Sequence, residues 1–288
     1  MSDAARLQEF IQGAARLPVL PRVTLRLLNS LDSPDSSSRE ISGVIEADPA
    51  LTARLLKLAN SPFYGQRGMV SNIRNAVVVL GRKTIRSLAL AVWTHTLRAQ
   101  AQTPEEMQLL TPLLAHGLAA GVAARWLAER ISKELGEDAF MAGLLHDIGR
   151  VALVAQMGGE YQTWILAAVQ HTGVSLHDKE AAVLGFDHRA LGAALMTSWG
   201  LPPFLVSVAE HHHDGSIDPQ QQFFVATVAL ADYLATSMGF NMALDIQRSA
   251  PEGIAAFFGL ENPVVVDEFL TTCLDSVRTL NAALELPG

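Results

Sequence analysis

Residues 142–153 read AGLLHDIGRVAL and place His146 directly before Asp147 inside an apolar run. Burying an unpaired charge is costly, so a charged side chain in such a run is normally paired with another group or bound to a metal ion. Adjacent helical residues point about 100° apart. Both side chains can still reach one ion near a helix end, and Gly149 is placed to loosen the turn there. The stretch therefore predicts a core helix whose polar pair either binds a metal ion or is satisfied by hydrogen bonds.

The composition predicts a folded protein with a large core. Of the 288 residues, 49% are hydrophobic and 17% are charged, which suits one large or two modest domains and excludes a disordered chain. The single cysteine, Cys273, cannot form an internal disulfide and favours a reducing compartment. The start MSDAARLQEF does not resemble a signal peptide, and no window holds 18 uninterrupted apolar residues. We therefore expect a soluble, cytoplasmic protein without a membrane span.

The charge is unevenly distributed along the chain. Residues 49–104 contain no Asp or Glu and eight Lys or Arg, so this region carries +8 and the rest must carry −16 to give the total of −8. Such a split indicates an anionic partner or an attraction between parts of the chain. Arg82, Lys83 and Arg86 in LGRKTIRSLAL could contact phosphates. The overall acidic charge nevertheless argues against a general nucleic-acid binder.

Helical spacing of apolar residues dominates the sequence and predicts an all-α fold. Asp48 and Pro49 form a typical helix start, followed by a buried stripe that includes Leu51 and Leu55. Gly81 is predicted to separate two helical stretches. Further helices are expected over 105–132 and 137–156. A boundary near Thr103 divides the chain into an N-terminal helical subdomain, residues 1–103, and a helical core with a C-terminal helix, residues 104–288.

Further polar residues interrupt the apolar faces of the second half. They lie on separate predicted helices: His116, His188, the run His211–His213, and Asp232. Side chains that project inward from facing helices can build a metal site in a bundle. Imidazole and carboxylate ligands together suit Fe, Mn, Zn or Ni. Spacing alone leaves open whether each is a metal ligand or a core residue satisfied by hydrogen bonds.

Several motifs of the chain resemble the HDOD domain, the HD-related output domain of bacterial signalling. The first half of that family is similar to LPVLPRVTLRLLNSLDSPDSSSREISGVIEADPALTARLLKLANSPFYG and to NIRNAVVVLGRKTIRSLAL. The HD-type helical core resembles the part from AGLLHDIGRVAL to LADYLA. The resemblance covers roughly residues 10–240. It implies an N-terminal helical subdomain packed on an HD-like helical core.

The resemblance also implies a metal site, mononuclear or binuclear, with a defined ligand set. The HD pattern falls on His116, His146, Asp147, His188, two residues of the run (taken as His211 and His212, with His213 as the other option), and Asp232. If the protein is an enzyme, Arg150 contacts phosphate. Two features depart from the HD-GYP phosphodiesterases. HHHDG is followed by SIDPQ without Gly-Tyr-Pro, and Arg150 replaces the Lys often found after HDIG.

The resemblance predicts a regulatory output module of bacterial signal transduction that acts by protein interaction and retains the metal site. Its expected partners are signalling proteins. The alternative is a metal-dependent phosphohydrolase or phosphodiesterase acting on a nucleotide or cyclic dinucleotide. The apolar C-terminal helix, residues 264–284, could cover the core or support a homo-oligomer.

Overall fold

The structure is a computed structural model that describes residues 2–65, 70–167, 174–214, 219–220, 222–241 and 253–284. Every regular element within these ranges is a helix, which confirms the all-α fold class. The helices are α1 (Asp3–Gly13), α2 (Arg22–Asp32), α3 (Ser38–Glu46), α4 (Pro49–Ala59), α5 (Ile73–Leu97), α6 (Pro104–Ile131), α7 (Gly136–Leu145), α8 (Ile148–Met157), α9 (Leu176–Leu184), α10 (His188–Ser198), α11 (Pro203–His211), α12 (Phe223–Ser237), α13 (Ile254–Phe257) and α14 (Pro263–Leu284). Between α8 and α9, a helical turn at Gly159–Tyr161 continues into a π-helical segment, Gln162–Leu166.

These helices fall into two compact units, each assembled from separated stretches of chain. The core unit comprises Met1–Pro18 and Leu97–Asp267, and the small unit comprises Val19–Thr96 and Glu268–Gly288. The continuous division at residue 103 into a subdomain and a core stays a prediction.

The small unit follows the local rules of its sequence. The Asp48 carboxylate accepts hydrogen bonds from the amides of Ala50 and Leu51 at the start of α4, with Pro49 in the first turn. This capping satisfies amides that have no partner within the helix. Gly81 has φ +79° and ψ 169° and interrupts α5, as predicted for a residue without a Cβ.

Two of the basic residues in LGRKTIRSLAL have structural contacts within the small unit. The Arg82 guanidinium donates to the carbonyl oxygens of Leu31, in the last turn of α2, and of Ser33 and Ser36 beyond it. Arg86 pairs with Asp32 at the end of the same helix. Cations at this position satisfy unpaired carbonyls and complement the helix dipole. The local excess of positive charge therefore serves, at least at Arg82 and Arg86, to hold a helix end.

In the core unit, α6 packs against α7 and α12, and α8 packs against α10. The contact between α6 and α7 is very close, since a Cβ at Gly143 would lie 2.6 Å from the carbonyl oxygen of Ala120. Helix α6 has the length and apolar composition of a membrane span, but 67% of its most apolar window is buried within the protein, as in a core helix. The absence of a membrane span stays a prediction.

The helix expected over 137–156 is interrupted. Helix α7 ends at Leu145, and Asp147, with φ −101° and ψ 20°, starts α8 as its N-cap residue. The expectation of one continuous helix was wrong. Both segments are buried, so the apolar residues keep their helical spacing on either side of the break, and the sequence pattern does not show it. The consequence is functional, since the break changes the direction of the chain between His146 and Asp147.

Candidate metal centre

The break between α7 and α8 brings His146 and Asp147 to the same buried space. Their side chains are almost completely inaccessible to solvent, and His146 Nε2 lies 3.5 Å from Asp147 Oδ2. Had the helix continued, the two side chains would have diverged by about 100° around its axis. A local change of backbone direction thus brings both side chains to one space.

One set of side chains gathers on the Oδ2 side of Asp147. His116 from α6, His146 and Asp147 each offer a ligand atom, and these atoms lie within 4.8 Å of one another. Asp232 from α12 completes the set, with Oδ1 3.0 Å from His116 Nε2 and 4.0 Å from His146 Nε2. We call this set of two imidazoles and two carboxylates the His116 position.

A second set gathers on the Oδ1 side of the same aspartate. Asp147 Oδ1 lies 3.5 Å from His188 Nε2 and 3.4 Å from His212 Nε2. His213 joins them, and the ligand atoms of the four residues lie within 4.8 Å of one another. We call this set of three imidazoles and one carboxylate the His188 position. Asp147 belongs to both sets and would be shared between them if each held an ion.

Hydrogen bonds on the far side of each ring orient four of the histidines. The Nδ1 atoms of His116 and His146 lie 2.7 Å from the carbonyl oxygens of Phe240 and Gly143. His212 Nδ1 lies 3.0 Å from two carbonyl oxygens of α11, and His188 Nδ1 lies 2.5 Å from Glu180 Oε2. Since a carbonyl or carboxylate oxygen only accepts, Nδ1 must carry the proton in each neutral ring. The lone pair is then on Nε2, which is the tautomer that metal-binding histidines adopt.

Most of the inward atoms lack a hydrogen bond. Within the described ranges, Nε2 of His146, His188 and His212 is buried without a hydrogen bond, and His116 Nε2 and the Asp147 carboxylate are buried with ion-pair contacts to Asp232 and Arg150. Buried polar atoms nearly always have a partner, and a bound ion is one explanation for an exception. So many acceptor atoms converging on one space fit a site for cations.

The pKa values within the cluster reflect competition between burial and neighbouring charge. Burial lowers the pKa of His146 to about 4, against the attraction of Asp147. Burial also acts to lower the pKa of His116, but Asp232 outweighs it, so this pKa lies above the ordinary value. Burial would raise the pKa of Asp147, yet Arg150 and the surrounding histidines hold it well below its usual range. Asp147 is therefore ionised.

The outer contacts include two residues that sequence reasoning missed. Glu180 on α9 is fully buried and accepts a hydrogen bond from the Tyr161 hydroxyl at 2.6 Å and another from the His188 backbone amide at 2.9 Å. Burial would raise the Glu180 pKa, but His188, Arg150 and the hydrogen bonds lower it below the ordinary value. Burial and the Glu180 charge both raise the pKa of Tyr161, so its hydroxyl stays protonated. No sequence signal marks Glu180, which lies in a stretch as polar as a surface helix.

The histidine run contributes a different pair from the one expected. His211 is the last residue of α11; its side chain is 39% exposed, and Nδ1 lies 2.9 Å from Asp214 Oδ2. His212 and His213 are the two that join the cluster, and His213 Nδ1 also lies 3.8 Å from Asp232 Oδ2. The structure does not bring His211 to the cluster, because α11 ends at this residue and the direction of each following side chain depends on the turn beyond it. The assignment of His211 as a ligand stays a prediction.

Arg150 lies behind the cluster. Its guanidinium is 2% exposed, and NH1 lies 2.9 Å from Asp147 Oδ2. The arginine thus holds the Asp147 carboxylate in place. Its expected contact with a phosphate stays a prediction.

Gly149 sets the distance between the two helices that carry Asp147 and His188. A Cβ at this position would lie 1.9 Å from the His188 carbonyl oxygen and 2.8 Å from the Gly192 amide nitrogen. Any other residue would force α8 away from α10. The glycine therefore allows Asp147 and His188 to meet, a role different from the looser turn expected from the sequence.

Comparison with known proteins identifies relatives with the same fold. The family model for the HDOD domain matches residues 17–215. An HDOD domain protein of unknown function from Geobacter sulfurreducens is 26% identical, with a TM-score of 0.80 and 98% of both chains covered. A Shewanella amazonensis SB2B protein, provisionally assigned as a phosphohydrolase, is 25% identical with a TM-score of 0.74, again over 98% of both chains.

A curated relative is longer than this chain. An uncharacterized protein of Treponema pallidum (strain Nichols) is 26% identical over 250 residues, which is 85% of this chain and 47% of the relative. The chain thus spans about half the length of that protein.

Proposed function

The chain belongs to the HDOD family, and we propose that it is a regulatory output module of bacterial signal transduction whose core binds metal ions. The observation that carries the proposal is the convergence of four buried histidine Nε2 atoms and the carboxylates of Asp147 and Asp232 on one buried space. A module of this kind would pass on a signal by contact with other signalling proteins in the cytoplasm. The ion would act as a structural or sensing element.

Burial of the cluster favours a regulatory role over the turnover of a substrate. The ligand side chains are nearly inaccessible to solvent. Two arginines of the core unit are already engaged: Arg150 with Asp147, and Arg189 with Asp187 and Asp214. A phosphate substrate would have to compete with these carboxylates for positive charge.

The donor set indicates the class of metal. Each position combines imidazole nitrogen with carboxylate oxygen, which suits Fe, Mn, Zn or Ni. The His116 position has two carboxylates and is the better match for an oxygen-preferring ion such as Mn. The His188 position has three imidazoles and favours Zn, Fe or Ni. Occupation of both positions, bridged by Asp147, would give a binuclear centre.

The second candidate function is a metal-dependent phosphohydrolase or phosphodiesterase acting on a nucleotide or cyclic dinucleotide. The carboxylate shared between two positions favours it, and so does the provisional assignment of the Shewanella relative at 25% identity. Ions in such a site would polarise a phosphoryl oxygen and activate a water molecule. Arg150 would contribute by holding Asp147 or by contacting the phosphate.

Metal content measured by mass spectrometry tests the shared premise. Protein purified without a metal-binding tag should contain one or two equivalents of Fe, Mn, Zn or Ni, and a His146→Ala, Asp147→Ala double variant should contain none. A chelator should lower the melting temperature of the wild type, because a ligand bound only to the native state stabilises it. A wild type without metal, and with no response to added metal, would refute the proposal.

A phosphodiester panel separates the two functions. We expect metal-loaded wild type to hydrolyse bis-p-nitrophenyl phosphate, cyclic mononucleotides and cyclic dinucleotides no faster than an Asp147→Ala variant. Turnover that is present in the wild type and lost in Asp147→Ala would overturn the regulatory assignment and establish the enzyme.

A further inference from the structure

His188 differs from the other oriented histidines in the group behind its ring. The Nδ1 atoms of His116, His146 and His212 face neutral backbone carbonyls. His188 Nδ1 faces the Glu180 carboxylate at 2.5 Å. A charged acceptor makes a stronger hydrogen bond than a neutral one. The two metal positions therefore have unequal outer contacts.

Glu180 is held by a complete set of hydrogen bonds. Oε1 accepts from the Tyr161 hydroxyl at 2.6 Å, and Oε2 accepts from the backbone amide and the ring of His188. All three residues are fully buried. An ionised carboxylate is tolerated in such surroundings only when its oxygens are satisfied. Tyr161 thus holds the carboxylate, and the carboxylate holds both the ring of His188 and the first turn of α10.

We propose that Glu180 and Tyr161 are positioning residues that fix the tautomer of His188 and set the metal affinity of the His188 position, but not that of the His116 position. The inference rests on the proposed metal centre. With Nδ1–H directed at Glu180, Nε2 keeps its lone pair toward Asp147 Oδ1, 3.5 Å away. Without the carboxylate, the neutral ring can place its proton on either nitrogen, and the Nε2–H form cannot bind metal.

Glu180→Gln is a sharp test because it preserves the shape of the side chain. An amide has a single acceptor oxygen, so it cannot accept the three hydrogen bonds that the carboxylate accepts. Tyr161→Phe removes only the hydroxyl that holds Glu180 and provides a milder variant if Glu180→Gln does not fold. Glu160→Gln is the matched control, because it makes the same chemical change at an exposed position beside Tyr161.

The experiment titrates metal-free protein with Co²⁺, whose visible absorption reports its ligands. His116→Ala and His188→Ala assign the two binding steps. Glu180→Gln should weaken the His188-dependent step by about 10- to 100-fold and leave the His116-dependent step unchanged. Tyr161→Phe should weaken the same step by less, and Glu160→Gln should weaken neither.

The tautomer is read separately in the metal-free protein by long-range ¹H–¹⁵N correlation spectra of the histidine rings. His188 should be an Nδ1–H tautomer in the wild type and Glu160→Gln, and a mixture in Glu180→Gln. If both binding steps are unchanged in Glu180→Gln and Tyr161→Phe, the positioning role is rejected and the metal centre is not. Absence of both steps in the wild type would overturn the metal centre and the inference with it. A loss of both steps together in Glu180→Gln, with the His188 tautomer unchanged, would also reject the positioning role.

Discussion

Replacing Gly149 with alanine should separate α8 from α10 and disrupt the metal centre. The new Cβ would lie 1.9 Å from the His188 carbonyl oxygen, whereas ordinary contact begins at 3.4 Å, so the two must move about 1.5 Å apart. The obstacle is backbone on a packed helix, which cannot turn aside like the end of a flexible side chain. Overpacking of this kind costs about 1–3 kcal/mol or more, and alanine recovers only about 0.5–1 kcal/mol through its helix propensity. We expect a net loss of about 2 kcal/mol in the free energy of unfolding.

The same displacement exceeds what a metal site tolerates. Ligand distances in a working site stay within about 0.2 Å of their preferred values. Asp147 lies two residues before Gly149, and His188 carries the carbonyl that the Cβ would strike. Gly149→Ala should therefore abolish metal binding at the His188 position at a cost in stability that leaves the protein folded.

Urea unfolding of the metal-free protein and a Co²⁺ titration measure the two effects. Gly43→Ala is the control, since Gly43 is an exposed residue of α3 with nothing within 4 Å of the new Cβ; it should be neutral or stabilising. Gly192→Ala, whose Cβ would lie 3.3 Å from the Gly149 amide nitrogen, should fall between them. Wild-type stability and wild-type binding of both ions in Gly149→Ala would refute the steric argument.

Three further predictions concern protonation and packing. The pKa of His146 is about 4 in the native state against 6.5 when exposed, so the unfolded chain binds more protons between these two pH values. The free energy of unfolding should therefore rise with pH across this window, by about 3 kcal/mol for this residue. Urea unfolding of metal-free His146→Gln should show a flatter pH profile than the wild type. Burial raises the pKa of the Cys273 thiol to about 12, so iodoacetamide at pH 8 should alkylate it only after denaturation, and rapid alkylation of native protein would contradict the packing of α14. Arg82→Ala should lower the free energy of unfolding by about 1–3 kcal/mol through the lost carbonyl partners, whereas Arg74→Ala at an exposed position should change it by less than about 0.5 kcal/mol.

Features with local causes could be predicted from the sequence. The cap at Asp48 depends on residues two and three positions away, and the interruption at Gly81 depends on one residue. His116, His188 and Asp232, which the structure brings into the cluster, stand out in the sequence as polar residues on apolar helix faces, a pattern that each helix carries by itself. Their role as metal ligands stays a prediction. The all-α class follows from the same helical period repeated along the chain.

Features that depend on three-dimensional packing could not be predicted from the sequence. Glu180 looks like a surface residue until α9 is packed against the Tyr161 turn, and the ring that it supports is eight residues away. The choice of His213 over His211 depends on where α11 ends. Arg82 looks like a phosphate-binding cation because its partners are carbonyl oxygens some fifty residues away, and carbonyl oxygens leave no trace in a sequence.

The pair at 146 and 147 is tolerated inside an apolar run because each residue around it has a separate physical role. His146 follows the last residue of α7 and donates Nδ1–H to the Gly143 carbonyl. Asp147 starts α8 and faces both positions, held from behind by Arg150. Because Gly149 has no side chain, the backbone of α10 packs directly against it. Conversion of Arg150 to Met should therefore weaken metal binding even though Arg150 carries no ligand atom: removing the partner leaves the Asp147 charge buried and unpaired on that side, which favours its protonation and reduces its capacity to bridge two ions.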